Sequence, residues 1–121
     1  MVALGAAVAI WLAMLALGGC ASVTDIEQTL PTMSVISGKK PDAYAQCLVQ
    51  QLSKTRKAPQ IEPHKEGLRI IVPQKLTSNP TAVIDIEERS GGSSIKVYES
   101  MSNVPVRPGD IRKAATHCIS G

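Results

Sequence analysis

The sequence predicts a small α+β fold, a two-layer sandwich of order α-β-β-β-α. In it a three-stranded antiparallel sheet carries two helices on one face, tied by a disulfide. Three observations predict this. Apolar stripes at helical spacing run near residues 41–52 and 110–119. Three β-branched runs, separated by turn residues, lie between them. Cys47 and Cys118 fall one on each stripe.

The first twenty residues stand apart from this plan. Seventeen are apolar and none is charged, whereas the rest of the 121-residue chain holds all 13 Lys+Arg and all 10 Asp+Glu. A single apolar stretch excludes a polytopic membrane protein, and the length excludes a large multidomain one. A net charge of +3 is too mild for a charge-driven disordered chain. Twenty apolar residues can span a bilayer, so length alone leaves a secretory signal, a membrane anchor and a buried helix all open. Position adds that a cysteine sits where the apolar stretch ends and the polar chain begins.

The order Leu17-Gly18-Gly19-Cys20 resembles the lipobox of bacterial lipoproteins. Small residues there let an extended backbone enter the signal peptidase, and only a thiol can form the thioether to diacylglycerol. The resemblance implies a signal peptide over 1–19 and a lipid on Cys20, with palmitate-class acyl chains. Each buried methylene contributes about 0.8 kcal/mol, so several chains anchor almost irreversibly. Ala21, where an Asp is the usual retention signal, implies the periplasmic face of the outer membrane; inner-membrane retention and secretion are the alternatives. Residues 20–39, with Pro31 and several Ser/Thr, read as the lipidated cysteine and a flexible tether. Residues 40–121 then form the domain.

Its first helix begins at Pro41, which suits the first helical position, with Asp42 favouring the N-terminal dipole. Tyr44, Cys47, Leu48 and Leu52 make the stripe, widened by Ala45 and Val49. Lys54, Arg56 and Lys57 fall in or after the last turn, and Pro59 ends the helix. Leu68–Val72, Thr81–Glu87 and Ile95–Met101 are the strands, bounded by Gly67, Pro73 and the polar tract Arg89–Ser94. That tract is a hairpin turn, placing Glu87 or Glu88 near Lys96. Asp110 is the expected N-cap of the second helix, whose stripe is Ile111, Ala114, Ala115, Cys118 and Ile119.

With Cys20 assigned to lipid, Cys47 and Cys118 form an even pair in an oxidising compartment, where a disulfide is the favoured state. A metal site using His117 beside Cys118 is the alternative, although the close C-x₂-C spacing that zinc sites use is absent.

Chemistry-bearing motifs are few. No G-x-S-x-G is present. Glu87 and Glu88 would point to opposite faces of a strand. Gly91-Gly92 joins strands instead of opening a helix, so it does not cradle phosphate. His64 and His117 are the only histidines, and a small periplasmic hydrolase would need one of them beside a serine and a carboxylate. The cluster Lys54, Arg56 and Lys57, with Lys39-Lys40 at the other helix end, suits an anionic lipid or glycan, or simply a solvated helix end. Tyr98 is the one aromatic candidate for a binding surface, or a cover over Ile71. Nucleic acid is not expected, because the chain has no Phe, two Tyr and one Trp for stacking.

The layout resembles small lipoproteins of proteobacteria and their prophages. The expectation is a non-enzymatic, membrane-anchored protein without cofactor or metal, held by its lipid and contacting an envelope protein or an anionic lipid or glycan. A prophage- or plasmid-type exclusion or inhibitor lipoprotein is the alternative.

Overall fold

A computed structural model describes residues 23–75, 79–100 and 109–121. The expected signal segment 1–19 and the lipidation site Cys20 lie outside the described residues. Eight elements follow in order: α1 (Val23–Glu27), β1 (Met33–Ser37), α2 (Pro41–Leu52), β2 (Gln60–His64), β3 (Gly67–Pro73), β4 (Pro80–Arg89), β5 (Gly92–Glu99) and α3 (Gly109–His117). The strands form one sheet in the order β1-β5-β4-β3-β2, with every neighbouring pair antiparallel. Among the described residues, no helix is long and apolar enough to cross a membrane.

The expected three-stranded sheet is therefore corrected to five strands, and the two helices to three. The three central strands occupy the runs read as strands. Both edge strands come from stretches that carry no strand signal of their own. β1, with α1 before it, lies in the segment expected to be a tether. β2 is the polar run Gln60-Ile61-Glu62-Pro63-His64, nearly all of it exposed. Each edge is held by a neighbour's backbone, and this pairing outweighs weak local preference.

The central strands alternate. Ile70 and Val72, Ala82, Ile84 and Ile86, and Ile95 and Val97 point to one side, where they are fully buried beneath α2 and α3. The helical stripes meet them through Tyr44, Leu48 and Leu52 from α2, and Ile111, Ala115 and Cys118 from α3. Two hairpins set the register. Ser90 and Gly91, both at positive φ, close β4 onto β5 in two residues, the twist a tight hairpin favours. Lys65, also at positive φ, turns β2 into β3, and at Gly67 a Cβ would collide with the carbonyl of Ile86.

The two helices are pinned to each other. Cys47 and Cys118 form a disulfide with Cα atoms 5.7 Å apart. The Tyr44 hydroxyl, buried beside it, donates to the Ala115 carbonyl at 2.6 Å. Burial pushes the Tyr44 phenol well above its usual range, so it remains a donor at any physiological pH. α1 lies on the opposite face of the sheet, with Ile26 buried there. The two edges differ. β1 is uncharged and free of proline, whereas β2 carries Glu62 and Pro63, and Pro63 lacks a backbone donor.

The disulfide closes a loop with a sequence separation of 71, for which the chain-entropy estimate is about 4 kcal/mol. Replacing both cysteines by alanine should lower the unfolding free energy by about that amount in urea titration. A loss below about 1 kcal/mol would remove the staple from any account of stability. Thiol titration of the unfolded, unreduced protein should find neither Cys47 nor Cys118 free.

Candidate functional site

Two surfaces bring charged side chains together, one on each side of the sheet. On the helical side an open groove of about 310 Å³ runs between the end of α2 and α3. Gln51, Lys54, Thr55, Asp110, Lys113, Ala114 and His117 line it. Lys54, Lys113 and His117 are exposed, and Lys57 and Arg112 add exposed cations nearby in sequence. Of the three cations expected to contact anionic material, Lys54 and Lys57 thus stand at the surface.

Arg56 does not. Its side chain is 1% exposed, and its guanidinium holds the Asp110 carboxylate in a fork, Nε to Oδ2 at 2.9 Å and Nη2 to Oδ1 at 2.7 Å. Nη1 donates to the Pro73 carbonyl at 2.8 Å. One side chain thereby joins the segment after α2, the start of α3 and the end of β3. Asp110, expected to cap α3, instead lies in its first turn as the acceptor for Arg56 and for the Thr55 hydroxyl at 2.7 Å. Burial alone would raise the Asp110 pKa. Hydrogen bonds from Arg56 and Thr55, with the charges of Arg56 and Lys75, outweigh it and hold the carboxyl below its ordinary 3.8. His117 sits exposed in the last turn of α3, on the groove wall.

On the other face, Arg69 is the centre of a network. It points away from the helices because its neighbours Leu68 and Ile70 point toward them. Its Nε donates to Asp85 Oδ1 at 2.9 Å, across the β3–β4 pairing. Its Nη2 reaches His64 Nε2 at 2.7 Å and ion-pairs with Glu27 of α1. A guanidinium cannot accept, so His64 must accept at Nε2 and carry its proton on Nδ1. Asp85 Oδ2 lies 3.8 Å from the same nitrogen.

The ligand atoms of Glu27, His64 and Asp85 lie within 4.8 Å of one another, close enough to hold a metal ion. Arg69 hydrogen-bonds Asp85 and His64 and ion-pairs with Glu27, so its guanidinium already supplies positive charge to this group. In this structure the three groups are tied together as an ion-pair network around Arg69. Farther along the face, Lys96 is opposite Asp85, and Glu87 is opposite Ser94. Asp85 is thus the direct partner of Lys96, and Glu87, two residues along on the same face, lies near it around one small pocket, as the hairpin reading expected. Lys65 pairs loosely with Glu87 at 3.9 Å. Tyr98 is half-buried directly opposite Val83, with Ile71 one strand farther along the same row. Burial, with the charges of Asp85 and Glu87, raises the Tyr98 pKa against the opposing charge of Arg69. Glu99, at the end of β5, is buried on the helical side without a hydrogen-bond partner among the described residues.

Sequence reading missed the Arg69 network. Arg69 was visible as a charge within an apolar strand, a placement that requires compensation. Two of its partners, Glu27 and His64, lie in the two elements with the weakest local signals, α1 and β2, and the third, Asp85, in β4. No known family model, curated protein or solved structure matches this chain.

Asp110→Asn should cost about 2 kcal/mol at neutral pH, since a buried guanidinium loses its anionic partner. Because the folded pKa of Asp110 lies below 3.8, its contribution is fully present above about pH 4 and is lost as pH falls through the folded value. Thermal melts of the wild type and Asp110→Asn should therefore converge on acidification; parallel curves would contradict the assignment. Arg69→Met leaves three acceptors facing one another. It should cost about 3 kcal/mol in urea and hasten proteolysis ahead of β1. Unchanged stability and cleavage would show that the network does not hold α1.

Proposed function

We propose that this protein is a lipid-anchored envelope protein, not an enzyme, whose α+β domain binds or supports another envelope component. The division of the cysteines carries this reading. The disulfide takes Cys47 and Cys118, leaving Cys20 as the one thiol open to lipid. It is also the cysteine at the seam between the apolar stretch and the polar chain.

The domain suits binding better than turnover. His64 accepts from Arg69 in a closed ion-pair network, so it offers no free nitrogen lone pair to a substrate. The groove between α2 and α3 presents the ammonium groups of Lys54 and Lys113 in the open, an arrangement that attracts anionic groups without committing to one geometry. Lys57 extends that basic surface. Carboxylate- or phosphate-bearing envelope material is the partner chemistry that fits it. Outer-membrane placement, periplasmic side, follows from the lipobox resemblance and from Ala21.

Growth with a radioactive fatty acid should label the protein, and Cys20→Ala should abolish the label and release the domain from membranes. Absence of label in the wild type, with Cys20→Ala fractionating identically, would end this reading.

A further inference from the structure

The lipid anchor and the basic groove belong to opposite sides of the sheet. α1 lies on the face away from α2 and α3, fixed by the buried Ile26 and by the Glu27–Arg69 ion pair. Its first residue, Val23, is three positions after Cys20. An extended chain covers at most about 3.6 Å per residue, so the Cys20 Cα stays within about 11 Å of Val23. Reaching the outer surface of the helical layer would mean passing the sheet edge and a layer of helices, each about 10 Å across. That path is longer than the three-residue link allows.

Two large apolar side chains are exposed along the chain that runs from α1 through β1. Leu30, in the link from α1 to β1, is 86% exposed. Ile36 is 58% exposed. Its neighbour Val35 packs toward the helices and its register partner is Ser94, so Ile36 points to the α1 face. The charges on this face nearly balance: Arg69 and Lys96, opposite Asp85, offset Glu27 and Asp85, and Lys65 faces Glu87, while Arg89 lies beside Ile36.

We propose that the domain lies on the bilayer on its α1 side, with Leu30 and Ile36 at the boundary between headgroups and acyl chains. The groove between α2 and α3 is then turned away from the membrane. This inference rests on lipid attachment at Cys20. Apolar contact, not charge, carries it, so a neutral bilayer suffices.

Two properties of the chain make the test direct. The described fold lies wholly after Cys20, and the single tryptophan, Trp11, lies before it. With Cys47 and Cys118 joined, Cys20 is the only thiol, so a maleimide phospholipid couples there alone. The chain from Cys20 to Gly121 is prepared as Leu30→Trp, Ile36→Trp and Lys113→Trp, all exposed positions. Each is coupled and added to phosphatidylcholine vesicles with or without brominated acyl chains. Leu30→Trp and Ile36→Trp should shift their emission to the blue and lose most of it to the brominated lipid. Lys113→Trp should retain the spectrum of the uncoupled protein. Equal quenching of all three, quenching of Lys113→Trp alone, or none at either contact-side position overturns the orientation. The lipid is supplied chemically, so this result is independent of whether cells attach one, which fatty-acid labelling decides separately.

Discussion

The covalent link between α2 and α3 is the constraint on which the rest depends. The sheet buries one face under two helices of 12 and nine residues, and helices this short are marginal by themselves. Fixing Cys47 to Cys118 makes them one layer. The Tyr44 hydroxyl then reaches Ala115, and Asp110 lies where Arg56 can clasp it. The buried guanidinium gains both carboxylate oxygens only because the helices cannot part. Loss of the staple would expose Arg56 to solvent competition and loosen the Pro73 end of β3 as well.

The helical layer and the three central strands were legible in the sequence because each buries one regular face. Tyr44, Leu48 and Leu52 repeat at helical spacing, and Ala82, Ile84 and Ile86 alternate. Ser90-Gly91 announces a tight turn. The edge strands were not legible. β1 offers five residues with no polar partner pattern, and β2 contains a proline and three polar residues. Their extended conformation comes from backbone pairing with β5 and β3, which no local window contains. Charge was misread for a similar reason. Arg56 and Lys57 are neighbours in a basic cluster, yet one is sealed against Asp110 and the other faces water. Only the fold separates them. Arg69 needed His64, Glu27 and Asp85 from three other elements before it had a meaning.

The two sides of the sheet use charge differently. The α1 face pairs its ions with one another and has little left to offer a partner. Among the described residues, the helical side leaves Lys54 and Lys113 without an ion pair around a groove and keeps the Arg56–Asp110 pair below the surface. Under the proposed lipid anchoring, this separation would keep the exposed cations of the groove from being consumed by the surface the domain rests on.

The unequal edges described for the sheet bear on crowding. Copies confined to a plane by the proposed lipid would meet far more often than the same number free in a volume. An uncharged, proline-free β1 could accept a strand from a neighbour, whereas β2, with Pro63 and Glu62, is a poor template. A sheet with one competent edge permits association to stop at a pair, because each partner closes the other's open side. Lateral growth into fibrils would need two such edges, and β2 with Pro63 and Glu62 is not one.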